Sequence, residues 1–334
     1  MSDDRPPIIE TANDTRPNRF PVVLQLCVLG GILFVLFGSL LFADQTDPPP
    51  TTATSETTVV ATHTASSDGI PQPITETPPL SASAAYVWDV RAQRALYQKN
   101  ADEVLPLASI TKLMTALVAY ELVTENTEVA VPLSGIRQAG NSGLAAGETL
   151  DAEALSQLAL ISSSNDAAYS LAASVGNLLG GEEPISQFVA GMNIRAEELG
   201  LATMSFKNTT GLDLSPSEPG AVGSARDVTF LMEHIINNHP EIISTTRIDN
   251  TRIYNREGAY HEAANTNPLV NDIPNLLGSK TGYTDLAGGN LTVAFDAGLN
   301  RPIIVTVLGS TRNERFTDVT TLIEATQRTM QASE

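Results

Sequence analysis

The strongest constraint on the fold is an uncharged apolar stretch near the start of the chain, residues 21–43, PVVLQLCVLGGILFVLFGSLLFA. A helix of about 20 apolar residues can cross a bilayer, because it satisfies its own backbone polar groups. Arg16 and Arg19 precede this stretch, and the next basic residue is Arg91. The positive-inside rule therefore places residues 1–20 in the cytoplasm and the rest of the chain outside the cell membrane.

A cleaved signal peptide is the alternative interpretation of this stretch. However, the apolar run is longer than the core of a usual signal peptide, and Leu41-Phe42-Ala43 is a poor cleavage site because it lacks the small-x-small pattern. Residues 44–80 then carry five acidic and no basic residues, are rich in Thr and Pro, and lack Phe, Tyr and Trp. Such a segment predicts a disordered linker. The sequence thus predicts a single-pass membrane anchor at 21–43 and a folded extracytoplasmic domain at 81–334.

Charge and cysteine content exclude several classes of protein. The formal net charge of -19 argues against a nucleic-acid partner, which would require clustered Lys and Arg. The single cysteine, Cys27, lies within the apolar stretch. The exported part therefore has no disulfide and no cysteine nucleophile.

Residue periodicity predicts an α+β domain whose sheet is built from both ends. A hairpin is predicted from Tyr86–Val90 and Ala95–Tyr97, and a helix from Ser109 to Leu122. Further helices are predicted after Asp151, which can cap one of them, and near Asp166. Short apolar runs separated by turn residues then predict an antiparallel meander followed by a last helix; the runs are 279–284, 290–295 and 302–308. We expect one antiparallel sheet with an inserted helical lobe and a cleft between them.

The first chemical motif is Ser109-Ile110-Thr111-Lys112, which places a hydroxyl and an amine on one face of the predicted helix. A lysine can deprotonate a serine if burial or a nearby cation lowers the lysine pKa. Taken alone, however, a serine and a lysine at this spacing are common on solvated helix faces.

The second motif is Ser163-Ser164-Asn165, in a polar break between two predicted helices. Such a break is usually a loop with a capping residue. A functional interpretation makes Ser163 a proton relay and lets the Asn165 amide hold Lys112 and the substrate backbone.

The third motif is Lys280-Thr281-Gly282, on a late predicted strand. A cation and a hydroxyl there would bind a carboxylate, and the glycine would let a substrate backbone approach closely. The alternative is an exposed strand lysine. The chain has four lysines, and two of them fall within these motifs, which occur once each and in the order known for penicillin-binding proteins and class A β-lactamases.

These segments resemble the three signatures of the low-molecular-mass penicillin-binding proteins, the D-alanyl-D-alanine carboxypeptidases of peptidase family S11. The resemblance extends over about residues 84–326 and is carried by Pro106–Ala116, Ser163–Ala168 and Gly278–Thr284. It implies the penicillin-binding transpeptidase fold, also called the serine β-lactamase-like fold. Ser164 stands where many relatives have Gly, and Tyr283 where several have His.

The resemblance implies a serine peptidase that removes the terminal D-alanine from peptidoglycan stem peptides and is inhibited covalently by β-lactams. Its implied catalytic residues are Ser109 as nucleophile, Lys112 as base, and Ser163 and Asn165 in proton relay and positioning. Its implied substrate-binding residues are Lys280, Thr281, Gly282 and Tyr283, with the backbone N–H groups of Ser109 and Tyr283 forming the oxyanion hole. It implies no cofactor and no catalytic metal.

Three other functions are alternatives to this interpretation. A DD-endopeptidase that cuts cross-links would use the same residues, and pocket shape would decide between the two. A β-lactamase is disfavoured because Glu197-Glu198-Leu199-Gly200 lacks the Asn of a deacylating motif. A non-catalytic scaffold would have no need of the intact motifs.

The remaining titratable groups give weaker signals. We expect His234 and His239 to be surface or cap residues, and His261-Glu262 lacks the second spaced His of a zinc peptidase. Arg312 and Arg315, after the last strand, are equally compatible with holding a carboxylate and with a solvated surface.

Overall fold

Strands from both ends of the folded region meet in one sheet. The computed structural model describes residues 74, 78–140, 142–180, 182–298 and 300–331. Its strands are β1 (Ala84–Asp89), β2 (Arg94–Lys99), β3 (Leu105–Pro106), β4 (Glu128–Ala130), β5 (Thr149–Asp151), β6 (Ser205–Phe206), β7 (Ala221–Gly223), β8 (Asn250–Tyr254), β9 (Tyr260–Ala264), β10 (Leu276–Thr284), β11 (Gly288–Asp296) and β12 (Pro302–Ser310). Its α-helices are α1 (Lys112–Leu122), α2 (Ala152–Ile161), α3 (Asn165–Leu178), α4 (Pro184–Glu198), α5 (Ala225–Asn238), α6 (Pro240–Ser244) and α7 (Glu314–Gln331).

The main sheet has five strands in the order β10-β11-β12-β1-β2, and all its pairs are antiparallel. The N-terminal hairpin and the C-terminal meander were both predicted, and their joining through β1 and β12 confirms the sheet built from both ends. Smaller sheets, β3-β7-β6, β4-β5 and β8-β9, lie in the segment between β2 and β10. Strand β10 is an edge of the main sheet, so one of its sides is not paired with another strand of that sheet.

Both faces of the main sheet are buried at its centre, which explains why β1 and β12 are almost continuously apolar. In β1, Tyr86 and Trp88 belong to the core cluster shared with α1–α5, whereas Val87 belongs to the cluster shared with α7. Side chains of β12 alternate in the same way: Ile304 belongs to the first of these clusters and Val305 to the second. The alternation follows from the two-residue period of a strand. The result is a sheet enclosed between the helical lobe and the C-terminal helix.

Two local predictions differ from the structure at helix starts. The helix predicted from Ser109 begins at Lys112, because a 3-10 turn (Ala108–Thr111) precedes it and Ala108 has a φ of 49°. Asp151 does stand at the N-cap position of α2, but its side chain makes no cap hydrogen bond and instead accepts one from Nε of Arg256 at 2.8 Å. An arginine from a distant loop has thus replaced the local interaction.

The predicted membrane anchor at 21–43 lies outside the described residues, as does the predicted linker at 44–80 except for residues 74 and 78–80. Among the helices that the structure describes, none combines the length and apolar character that a bilayer span requires.

Candidate active site

The predicted nucleophile, Ser109, lies on a strained turn between the sheet and the helical lobe. The residue before it, Ala108, has a φ of 49°, a left-handed conformation that residues other than glycine rarely adopt. Oγ1 of Thr111 donates a hydrogen bond to the carbonyl oxygen of Ala108 at 2.7 Å, which holds the turn closed. Ser109 itself is only partly buried and is therefore accessible to a substrate. Strain of this kind is common where a reactive side chain must be presented.

A buried asparagine on the sheet fastens the segment that leads into this turn. Nδ2 of Asn290, on β11, donates to the carbonyl oxygens of Pro106 and Leu107 at 2.9 and 3.1 Å. Oδ1 of Asn290 accepts from the backbone N–H of Gly309 at 2.8 Å. Since Asn290 is fully buried, these bonds are shielded from water, and they fix Ser109 relative to the sheet.

Lys112, at the start of α1, is fully buried beside the serine. Its Nζ lies 2.7 Å from Oγ of Ser109, 2.7 Å from Oδ1 of Asn165 and 2.9 Å from the carbonyl oxygen of Thr210. Burial, and then the charge of Lys280, lower the pKa of Lys112 well below its usual value. A neutral amine at hydrogen-bond distance from a hydroxyl is the arrangement that a general base requires.

Neighbouring residues of the second motif, Ser164 and Asn165, have different roles. Ser164 is the N-cap of α3, and its Oγ accepts from the backbone N–H of Ala167 at 3.0 Å. Because Ser164 takes the capping role, the side chain of Asn165 is free to contact Lys112 and to donate from Nδ2 to the carbonyl oxygen of Ala139 at 2.6 Å. Ser164 therefore has a structural function.

Lys280, on β10, faces the same motif from the sheet. Its Nζ donates to Oγ of Ser163 at 2.9 Å and to the carbonyl oxygen of Thr281 at 3.0 Å. Lys280 is buried, and this burial, followed by the nearby Arg315, lowers its pKa to about 7. An approaching carboxylate would raise that pKa again, because an opposite charge favours the ammonium form. Ser163 has a φ of 59°, a second left-handed conformation at the site.

The side chains of Thr281 and Tyr283, which follow Lys280 on β10, have different surroundings. Oγ1 of Thr281 lies 2.6 Å from Oγ1 of Thr266, so the two hydroxyls share a hydrogen bond. Tyr283 is 39% exposed, and the guanidinium of Arg312 lies 4.8 Å from its ring centre. The structure thus places Thr281 within the polar network and leaves the Tyr283 ring at its rim.

Gly282 is required by a close contact within the protein. A Cβ at this position would lie 2.8 Å from the carbonyl oxygen of Leu107 and 3.2 Å from the backbone nitrogens of Ser109 and Ile110. The sequence prediction attributed this glycine to the approach of a substrate backbone. The structure shows that the nucleophile turn itself occupies that space, so any side chain here would push β10 away from Ser109.

Arg315 is a site residue whose importance the sequence left undecided. Its side chain is buried, and Nη1 donates to the carbonyl oxygen of Gly282 at 2.6 Å. Burial, and then Arg312, lower the pKa of Arg315 to about 10, so it stays protonated at neutral pH. Arg315 therefore contributes fixed positive charge behind β10 and is not a solvated surface group.

The structure brings the predicted residues together in two hydrogen-bonded groups. The first joins Lys112 to Ser109 and Asn165, and the second joins Lys280 to Ser163. The carbonyls of Thr210 and Ala139 complete the network, and no local sequence signal marks them, because both contacts are long-range. Among the described residues, the group of side chains able to hold a metal ion contains none of the eight predicted site residues.

Several known proteins are similar to this chain. The profile of the D-alanyl-D-alanine carboxypeptidase family, Peptidase_S11, matches residues 72–312. The chain is 32% identical to the D-alanyl-D-alanine carboxypeptidase DacF of Bacillus subtilis over 252 residues, which cover 73% of this chain and 61% of that protein. It thus spans about three fifths of the length of that relative. It is also 32% identical to a D-alanyl-D-alanine endopeptidase of Pseudomonas aeruginosa, over 73% of this chain and 76% of the relative.

A solved structure shows the same fold. Penicillin-binding protein D2 of Listeria monocytogenes, in its ampicillin-bound form, superimposes with a TM-score of 0.62 at 30% identity. The match covers 75% of this chain and 98% of that one. The described domain therefore has the penicillin-binding protein fold, in which an antiparallel sheet carries an inserted helical lobe.

Proposed function

Because this chain belongs to the D-alanyl-D-alanine carboxypeptidase family S11, we propose that it removes the terminal D-alanine from peptidoglycan stem peptides through an acyl-enzyme on Ser109. The observation that carries this proposal is the contact of 2.7 Å between Nζ of Lys112 and Oγ of Ser109, together with the lowered pKa of that buried lysine. A scaffold protein would gain nothing from burying an amine beside an accessible hydroxyl.

In the acylation step, Oγ of Ser109 attacks the carbonyl carbon of the bond between the last two D-alanines while Lys112 accepts the hydroxyl proton. The backbone N–H groups of Ser109 and Tyr283 are assigned to the developing oxyanion. The proton passes to the leaving amine of the terminal D-alanine, with Ser163 as relay. An ester on Ser109 remains, and water then attacks it with Lys112 again acting as base.

Recognition of the substrate terminus is assigned to β10. Lys280 supplies positive charge and Thr281 a hydroxyl for the terminal carboxylate, and both side chains already lie in a polar network with Ser163 and Thr266. As an edge strand, β10 also offers backbone groups to which an extended peptide can add as a further strand. This mode of binding would hold the scissile bond beside Ser109.

The proposal is tested by mass analysis of purified cell-wall peptides after incubation with the protein. Loss of one D-alanine from monomeric pentapeptides, absent with Ser109→Ala, is the expected result. Cleavage of cross-linked dimers without loss of D-alanine from monomers would show a DD-endopeptidase. That second function is kept because this chain is as similar to a relative named an endopeptidase as to one named a carboxypeptidase.

The protein is further proposed to stay tethered to the cell membrane through residues 21–43, with the catalytic domain outside. The support is the length of the apolar stretch and the Arg16 and Arg19 charges before it. We predict that protein isolated from membranes retains residues 1–20, as N-terminal sequencing or mass spectrometry of the intact chain will show. A mature N-terminus at or just after Asp44 would identify the stretch as a cleaved signal peptide.

A further inference from the structure

Three side chains that can ligate metal converge at one end of the helical lobe. Glu121 lies in the last turn of α1, His234 lies in the last half of α5, and His239 is the C-cap of α5. Nε2 of His234 is 3.9 Å and Nε2 of His239 is 3.8 Å from Oε1 of Glu121, and one ligand atom from each residue lies within 4.8 Å of the others. Each side chain is about a quarter exposed.

The two separations from Glu121 are close to those of a zinc site. With bonds of 2.0–2.1 Å, the ligand atoms of a tetrahedral zinc ion lie about 3.4 Å apart. The two observed distances to the glutamate oxygen exceed this value by about half an ångström, which side-chain rotation can supply. Two imidazoles and one carboxylate, with the fourth position open to water, form a ligand set that zinc accepts.

The surroundings also favour a cation. Two helices, α1 and α5, direct their C-terminal ends toward the cluster, and neither carries a basic residue in its last turn to balance its partial negative charge. Oε1 of Glu241 lies 4.0 Å from Nδ1 of His239, on the ring side opposite Glu121. This distance is too long for a hydrogen bond, but the negative charge of Glu241 adds to the attraction for a cation.

Arg195, on α4, is the cation that the cluster already holds. Its Nη2 donates to Oε1 of Glu121 at 2.7 Å and lies 3.5 Å from Nε2 of His234. Its Nη1 also bonds to Glu198 at 3.0 Å, so the guanidinium keeps one carboxylate partner if it turns away from Glu121. Arg195 therefore competes with a metal for the same oxygen, and its removal should strengthen metal binding.

We propose that Glu121, His234 and His239 form a binding site for a divalent transition-metal ion of the zinc type, which clips the C-terminal end of α1 to the junction of α5 and α6. The sequence analysis expected these histidines to be surface or cap residues. His239 is indeed the C-cap of α5, but the fold also brings it and His234 to one carboxylate.

Metal binding at this site would change the stability of the folded domain. It would not take part in the reaction at Ser109, for which Lys112 is the proposed base. Lys112 and Glu121 lie at opposite ends of α1, about 14 Å apart along the helix axis. A ligand that binds only the folded state stabilises it in proportion to the logarithm of its concentration over Kd. Zinc at 100 times its Kd should therefore raise the Tm of the domain by about 5–10 °C.

The test is titration of the full chain, stripped of metal with EDTA, with zinc ions in competition with a chromophoric chelator. We expect His234→Asn and His239→Asn each to weaken zinc binding by at least about tenfold. Removal of a residue that only hydrogen-bonds to a metal ligand already costs about this much, and loss of a ligand itself should cost no less. Arg195→Gln should tighten it on the order of tenfold, because a competing positive charge is lost. The matched control is His261→Asn. The ring of His261 pairs with Glu148, so its loss should leave the zinc affinity unchanged.

Circular dichroism and labelling by penicillin verify that each variant is folded. The proposal is overturned if wild type and Arg195→Gln bind no more zinc than the His234→Asn, His239→Asn double variant. It is also overturned if His261→Asn weakens binding as much as His234→Asn does, because the bound ion would then lie elsewhere in the chain. Neither result would bear on the carboxypeptidase assignment, since Ser109 and Lys112 are unchanged in every variant.

Discussion

Replacement of Lys112 by alanine is expected to slow the acylation of Ser109 by a fluorescent penicillin about 10²–10⁴-fold, the range that a general base contributes. Ser109→Ala should abolish the label altogether, because no other hydroxyl lies at hydrogen-bond distance from Nζ of Lys112 among its observed contacts. Penicillin resembles the D-alanyl-D-alanine terminus, and ring opening leaves its amine attached to the acyl group. The leaving group cannot diffuse away, so the label should persist.

The measurement is in-gel fluorescence followed over time, with Lys207→Ala as the matched control. Lys207 is half exposed and pairs with Glu218 at 2.8 Å, so its loss should leave labelling unchanged. Failure of the folded wild-type protein to label would favour the scaffold function. Rapid turnover of the drug would favour a β-lactamase, and a label that survives Ser109→Ala would show that the nucleophile is misassigned.

Lys280→Ala is expected to reduce acylation by roughly 10–100-fold, which corresponds to loss of one hydrogen bond to a charged group. A second effect should appear in the pH profile. Lys280 helps to lower the pKa of Lys112, so its removal lets that pKa rise. Because the pKa of Lys280 is about 7, this effect applies near and below that pH. There less Lys112 is neutral in the variant, and the acid limb of the acylation rate moves to higher pH.

The measurement is the acylation rate from pH 6 to 10 for wild type, Lys280→Ala and Lys280→Met. The methionine variant keeps most of the buried volume and removes the charge, so it separates the loss of the cation from a packing defect. We expect both variants to show the same shift and Lys280→Met to unfold at an equal or higher temperature than wild type. Wild-type rates across this pH range in either variant would contradict the assignment of Lys280.

The parts of the fold that depend on local periodicity could be predicted, and they include the terminal hairpin, the meander β10–β12 and the helix that carries Lys112. Three motifs in the correct order also predicted the candidate site, because their combination is far less common than any one of them. The structure brings Lys112 to Ser109 and Asn165, and Lys280 to Ser163, while the catalytic roles stay a prediction. Local pattern could not predict the 3-10 turn at Ser109, since residues other than glycine rarely adopt the left-handed conformation that Ala108 has. Nor could it show that Ser164 caps α3 while Asn165 turns to Lys112.

Long-range partners could not be predicted for a different reason. The carbonyl of Thr210 and the side chains of Asn290 and Arg315 reach the site from distant segments. A carbonyl carries no sequence signal, and a single polar residue on a strand does not reveal what it faces. For Arg315 the sequence left open both a solvated surface position and a role in holding a carboxylate, and its burial excludes the first.

The two hydrogen-bonded groups of the site differ in what they connect. Ser109 and Lys112 belong to one continuous stretch of turn and helix, whereas the contact of Lys280 with Ser163 joins a strand of the sheet to a loop of the lobe. Under the proposed function, a change in how the sheet and the lobe pack together would therefore act most directly on the contact assigned to carboxylate binding.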